Sequence, residues 1–185
     1  MPRLAFRSIA CAIVLGVGPV ACGGGNPYGY APEYAPLSEE EPHFERGVAL
    51  SYEEVRRNPA GFADRDLAWF GVVTGIESKG ASGEAIVALE LRTHQPRHLC
   101  SDQFDSSCRV TVSATGGGPF SALLTLRPED RGGRDRVYEG SLLKVYGRVT
   151  PDFDDNGGPI LRADYYRHWP RNTYVTPGHR RAMRR

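Results

Sequence analysis

The sequence has no apolar run long enough to span a membrane, and it has none of the common catalytic signatures. Its apolar segment at residues 9–20 is well short of the roughly 20 residues that a transmembrane helix needs. There is no Gly-x-Ser-x-Gly elbow, no His-Glu-x-x-His pair and no phosphate-binding loop. We therefore expect a protein that is not an enzyme and that needs no cofactor.

Cysteine and lysine are both scarce. The four cysteines contain no Cys-x-x-Cys pair, so a thioredoxin-like redox motif is absent. Lys79 and Lys144 are the only lysines, and every other cationic side chain is arginine. The formal net charge of +1 becomes −1 once Arg3 and Arg7 are removed with an N-terminal signal. A chain this close to neutral has no overall electrostatic attraction to nucleic acid.

The N-terminal residues resemble a bacterial lipoprotein signal. Arg3 and Arg7 precede the apolar segment, and Ala21-Cys22 is followed by three glycines. This pattern predicts a signal peptide over 1–21, with Cys22 carrying palmitate-type acyl chains as the new N-terminus. An unprocessed anchor or simple secretion are the alternatives, because Pro19 stands where such signals usually carry leucine. Gly23, rather than aspartate, after Cys22 favours the outer membrane, on its periplasmic or its external side.

The amino-acid composition divides the chain after residue 21 into a linker, a domain and a tail. Residues 22–44 are rich in glycine, proline and tyrosine and lack the aliphatic side chains of a core, so they are predicted to be a flexible linker. Residues 45–170 are predicted to form one domain, and 171–185 a basic tail. The tail holds five arginines and no acidic residue, a composition suited to contact with anionic lipid or lipopolysaccharide.

The sequence of this domain predicts an all-β fold with one short helix. Ser51 and Glu54 have the spacing of a capping box, and Pro59 ends the helix. Alternating or β-branched segments predict five or six strands, at about 67–76, 84–92, 109–114, 119–127, 141–150 and 160–166. Short strands with glycine kinks bury a core by closing into a small OB-like β-barrel, and a small β-sandwich is the alternative. Residues 130–139 are too polar and glycine-rich for the helix that often lies there.

Cys100 and Cys108 flank a polar loop between two strands. In an exported protein the expected outcome is a disulfide, which the chain-entropy relation values at about 2.5 kcal/mol. A zinc site with His94 and His98 is the alternative, although the spacing matches no familiar zinc finger.

Residues 152–157 have the first half of a calcium-binding loop. Asp152, Asp154 and Asn156 place oxygen donors at alternate positions before Gly157, but Ala163 stands where the bidentate glutamate belongs. Asn156-Gly157 is also a hairpin-turn signal, and a turn without metal is the favoured interpretation.

The densest aromatic and basic cluster follows the last predicted strand. Tyr146, Tyr166, Arg167 and Trp169 are candidate contacts for an oligosaccharide or another small envelope ligand. The alternative is that these rings pack against the end of the barrel. Exposure separates the two, since buried rings offer a ligand no surface.

Four short segments of the sequence resemble those of a known protein family. Residues 66–76, 89–93, 140–147 and 165–169 are similar to the starvation-inducible outer-membrane lipoprotein family, over roughly 58–170. The resemblance implies a lipidated cysteine joined to a small OB-like domain, without established catalytic residues or an agreed ligand. We thus expect a non-catalytic structural or interaction module of the envelope, with envelope proteins, glycans or anionic lipid as partners. A ligand-binding module is the alternative function.

Overall fold

Strands are the main regular elements of the computed structural model, which describes Tyr34 and residues 36–48, 50–63, 65–80, 82–95 and 110–177. The helices are short: α1 (Glu41–Arg46), α2 (Tyr52–Arg57), a 3-10 turn (Pro59–Phe62) and α3 (Pro128–Arg131). The strands are β1 (Asp66–Lys79), β2 (Glu84–Arg92), β3 (Val110–Thr111), β4 (Pro119–Thr125), β5 (Leu142–Phe153), β6 (Pro159–Trp169) and β7 (Tyr174–Val175). Within these described ranges, no helix is both long enough and apolar enough to cross a membrane.

Five of the strands close into a barrel in the order β1-β2-β4-β6-β5. Neighbouring strands are antiparallel except for β4 and β6, which pair in parallel. This closed barrel confirms the predicted all-β, OB-like fold rather than the sandwich. Closure gives each of the five barrel strands two neighbours, so none of them is an edge strand.

The barrel interior is filled by the side chains that the sequence alternation places on one face. Val87 and Leu89 of β2 pack with Phe120 and Ala122 of β4, and all four are buried. The same alternation places Leu143, Val145, Val149 and Leu161 in this core. The period-two pattern therefore indicates the inward face of β2, β4 and β5 correctly.

Helix α2 begins and ends as its sequence predicts. The Ser51 side chain accepts a hydrogen bond from the Glu54 amide, and the Glu54 side chain accepts one from the Ser51 amide. Tyr52 and Val55 are buried in the barrel core beside Trp69, and the Tyr52 hydroxyl donates to the Pro119 carbonyl at 2.9 Å. Since two turns of helix are only marginally stable alone, this packing holds α2 in place.

A second apolar cluster lies outside the barrel. Its buried members are Phe70, Val110, Val112, Leu142 and Trp169, with Tyr34, Val72 and Tyr174 packed against them. β3 and β7 form a separate two-stranded parallel sheet in this cluster. The strand predicted at 109–114 is thus short and lies outside the barrel, and the folded domain continues past residue 170 to the buried Val175.

The predicted linker also begins to fold earlier than expected. Tyr34 packs in the outer cluster, Glu40 is fully buried, and α1 starts at Glu41. We call residues 34–48 the strap. The predicted linker boundary at 44 was wrong because Tyr34 and Glu40 find partners on the barrel wall. Only α3, a single helical turn, occupies the start of the polar 130–139 region.

Gly147 lies where the backbones of β5 and β6 approach closely. A Cβ atom there would lie 2.1 Å from the Arg162 carbonyl oxygen, next to a register shift between β5 and β6. We predict that Gly147→Ala lowers the free energy of unfolding by at least about 2 kcal/mol, because the two strands must separate. Chemical denaturation measures this loss.

The matched control is Gly132→Ala. A Cβ atom at Gly132 meets nothing within 4 Å, and the backbone there is extended. The control is expected to change stability by no more than about 0.5 kcal/mol. Equal effects of the two variants would contradict the close approach at Gly147.

Candidate functional site

The strap is fixed to the barrel by one buried carboxylate. Glu40, at the start of α1, accepts hydrogen bonds from the hydroxyls of Tyr34 and Tyr146 and from the Leu37 amide. Its two oxygens also contact Lys144 Nζ at 3.4 Å and an Arg167 guanidinium nitrogen at 3.1 Å. Strap and barrel wall thus meet at an ion cluster from which water is largely excluded.

The Lys144 ammonium lies inside a ring of aromatic side chains. Its Nζ is 3.6 Å from the ring centroid of Tyr34, 4.7 Å from those of Phe44 and Tyr146, and 5.3 Å from that of Phe70. Such contacts stabilise a desolvated cation by about 2 kcal/mol or more at best. Two of these rings belong to the strap, so its removal would expose Lys144.

Burial shifts the protonation equilibria of this cluster. It lowers the pKa of Lys144 to about 8, although the Glu40 charge opposes the shift. Burial acts to raise the pKa of Glu40, but the hydrogen bonds from Tyr146 and Tyr34 and the Lys144 charge outweigh it and hold that pKa below the usual value. The pKa values of Tyr34 and Tyr146 are raised, chiefly by burial, so both hydroxyls remain donors to Glu40.

A second buried carboxylate joins α3 to β6. Asp130 accepts hydrogen bonds from His168 Nδ1 at 2.7 Å, the Tyr166 hydroxyl at 2.5 Å and Arg127 Nε at 3.2 Å. His168 Nε2 lies 3.2 Å from Ser141 Oγ. This chain of contacts ties the 127–141 segment to the end of the barrel.

His168 contacts both Ser141 and Asp130, as the histidine of a hydrolase triad contacts its serine and aspartate. The surroundings of these three residues differ from those of an active site. Ser141 is fully buried, and its Oγ accepts a hydrogen bond from the Tyr138 amide. The amides of Gly140 and Ser141 donate to the carbonyls of Val73 and Tyr138, so neither is available to stabilise an oxyanion. The arrangement is suited to fixing a loop.

The opposite side of the barrel carries an open groove of about 450 Å³. Its floor is apolar and formed by outward-facing side chains of β2, β4 and β6, namely Ile86, Ala88, Leu123 and Ile160, with Ile76 of β1 at its edge. Phe153, 48% exposed, and the turn at 154–156 form one wall. The barrel therefore has one face covered by the strap and another open to solvent.

The candidate ligand residues lie in the protein interior. Tyr146, Tyr166, Arg167 and Trp169 are each 7% exposed or less. Tyr166 packs in the barrel core, and the strap and the outer cluster cover the other three. Their prediction as ligand contacts was wrong, and the alternative of rings packed against the barrel was correct. The alternation put Tyr146 on the outer face, as the structure does, but could not reveal that the strap covers it.

The turn at 152–157 is closed by protein groups. The Asp154 carboxylate accepts from the amides of Asn156 and Gly158 and from the Ser121 hydroxyl. Gly157 adopts the left-handed conformation that a tight turn requires. No cluster suited to a metal ion is found among the described residues, and the hairpin interpretation matches this geometry.

Several predicted sites lie outside the described residues. They are Cys22, Cys100, Cys108, His98, the signal peptide and the basic tail from 178 onward. His94 is described and stacks on the Phe70 ring at a centroid distance of 5.0 Å. The disulfide and the lipidation therefore stay predictions.

Sequence reasoning missed both buried carboxylates. Glu40 stands in a run of three glutamates within a proline-rich segment, a composition typical of a solvated linker. One signal was present: Lys144 is one of only two lysines and alternates with core residues on β5. A cation at such a position needs an acidic partner if it becomes covered.

Removing the Glu40 charge tests the ion cluster. Glu40→Gln leaves Lys144 and Arg167 buried without their carboxylate, and we predict a loss of about 3–5 kcal/mol in the free energy of unfolding. Glu41→Gln, at the neighbouring exposed position, is the matched control and should change it by less than about 0.5 kcal/mol. Urea denaturation at pH 7 measures both. A similar small effect at the two positions would show that Glu40 does not hold the strap.

Stability is also predicted to depend on acid pH. Burial raises the pKa of Asp130, but the hydrogen bonds from His168 and Tyr166 outweigh burial and hold that pKa below its usual value. A carboxylate with a folded pKa below the unfolded one stabilises the fold above the unfolded value of about 4, and this contribution disappears as the pH falls through the folded pKa.

Unfolding free energy measured from pH 7 down to pH 2 should therefore decrease steeply below about pH 4. Asp130→Asn should make that decrease shallower, while Glu129→Gln, an exposed neighbour, should leave the slope unchanged. Parallel curves for the parent protein and Asp130→Asn would refute the assignment.

Comparison with known proteins does not assign the chain to a family. A scan against protein-family models matched none, and a search of curated proteins matched no relative. The likeness to the starvation-inducible lipoprotein family accordingly stays a prediction from the residues quoted above. What the protein does must be inferred from its covered face, its open groove and its N-terminal residues.

Proposed function

We propose that the protein is a lipid-anchored, non-catalytic interaction module of the bacterial cell envelope. The observation that carries the interaction role is the two-sided construction of the barrel. One face is covered by the strap and the outer cluster, and the other presents an apolar groove to solvent. Exposed apolar grooves of this kind mark binding surfaces more often than accidental features.

The anchor follows from the N-terminal residues. Arg3 and Arg7, the apolar segment and Ala21-Cys22 together support export and lipidation at Cys22. The burial of the polar side chains that could take part in catalysis supports a non-catalytic role, since Glu40 and Ser141 are fully buried and Asp130 is 6% exposed. Side chains that a substrate cannot reach have a structural role.

A small-ligand module, with an oligosaccharide as its ligand, is the second candidate. Its predicted aromatic surface is buried, but Phe153 remains exposed at the groove wall and offers one ring for stacking. A single exposed ring supports sugar binding less strongly than the aliphatic floor beside it supports the binding of apolar side chains.

Mass spectrometry of the protein from membranes of a Gram-negative host tests the anchor. We predict a mature chain that begins at Cys22 and carries the mass of attached acyl chains. Cys22→Ala should abolish that mass and release the domain from the membrane fraction. Cys11→Ala, a cysteine inside the predicted signal, is the matched control and should leave the acylated product unchanged. A product with an intact Met1 and no acyl mass would contradict the proposal.

A further inference from the structure

The groove continues into neighbouring depressions on both sides. Beyond Phe153 lies a depression lined by Glu53, Arg56 and Arg57 of α2. In the other direction, Ile86 and Leu123 are shared with a depression that is also lined by Lys79, Glu84 and Arg162. The three depressions form a track across the outer surface of the barrel, which suits an elongated occupant. Both ends of the track carry cations beside an acidic residue, so its purely acidic part is the central groove.

The charge along the central groove has one sign. Glu77, Asp154 and Asp155 line it, and within the described part of the chain its lining contains no lysine or arginine. Glu77 and Asp155 are exposed, so their carboxylates face solvent beside the apolar floor. A complementary occupant carries positive charge next to apolar groups.

The chemistry of the floor distinguishes a peptide from a sugar. The face of OB barrels formed by their second and third strands commonly binds oligonucleotides and oligosaccharides. Those ligands stack on aromatic rings, and here the floor is formed by isoleucine, alanine and leucine side chains. Aliphatic floors accept aliphatic side chains, and the acidic rim disfavours the phosphates of a nucleic acid.

We propose that this groove binds an extended, cationic segment of a partner protein. Its apolar side chains lie on the floor formed by Ile86, Leu123 and Ile160, and its arginine or lysine side chains contact Glu77 and Asp155 at the rim. This inference deepens the proposed function and rests on it, since it names the partner class of the interaction module.

The test measures binding of two labelled ten-residue peptides to the purified full-length chain. In one peptide valine alternates with arginine, and in the other glutamate replaces each arginine. We expect saturable binding of the arginine peptide by fluorescence anisotropy at physiological salt, at least about tenfold tighter than that of the glutamate peptide. A labelled hexamer of N-acetylglucosamine is measured alongside.

Variants locate the binding on the groove. Asp155→Lys should weaken the arginine peptide by about tenfold and strengthen the glutamate peptide, and Leu123→Gln should weaken both. Asp164→Lys makes the same charge change at an exposed position of β6 outside the groove lining, and it should alter binding by less than about twofold. If Asp155→Lys disturbs the fold by circular dichroism, Glu77→Lys at the exposed end of β1 replaces it.

Several outcomes would overturn the inference. They are equal affinity for the two peptides, an equal loss in Asp164→Lys and Asp155→Lys, and saturable binding of the sugar without binding of the peptides. A dimer dissolved by Leu123→Gln, with no peptide bound, would assign the groove to a second copy of the chain. None of these results alters the acyl mass at Cys22, so the anchor is judged separately.

Discussion

The carboxylate of Glu40 is the interaction on which the covered half of the molecule depends. It forms ion pairs with Lys144 and Arg167 and accepts hydrogen bonds from two tyrosine hydroxyls, so one residue contacts four barrel and strap side chains. Burying these charges is costly unless each is paired and hydrogen-bonded, which is the case here. Without the strap, the outer wall of β5 and β6 would present Lys144, Arg167 and several rings to water.

The long strands could be read from the sequence because each alternates over a buried face. Val87, Leu89, Phe120 and Val145 all point inward as their spacing requires, and α2 begins at its capping box. Barrel closure followed from the number of short strands and the need to remove edges. These features depend on local patterns, which a single sequence displays directly.

The covered face could not be read in the same way. The period of a strand tells which side a residue occupies, but not whether another segment lies over that side. Tyr146 and Arg167 point away from the barrel interior and are nonetheless buried, because a segment more than a hundred residues earlier, around Glu40, packs on them. That contact joins distant parts of the chain through polar atoms, and the proline-rich composition of the strap does not indicate it.

Docking of the strap limits the reach of the proposed anchor. If Cys22 carries the lipid, residues 23–33 separate it from Tyr34 on the barrel wall, and a chain of that length spans at most about 40 Å when fully extended. The attachment point then lies on the side of the barrel that the strap covers, and the groove lies on a different face.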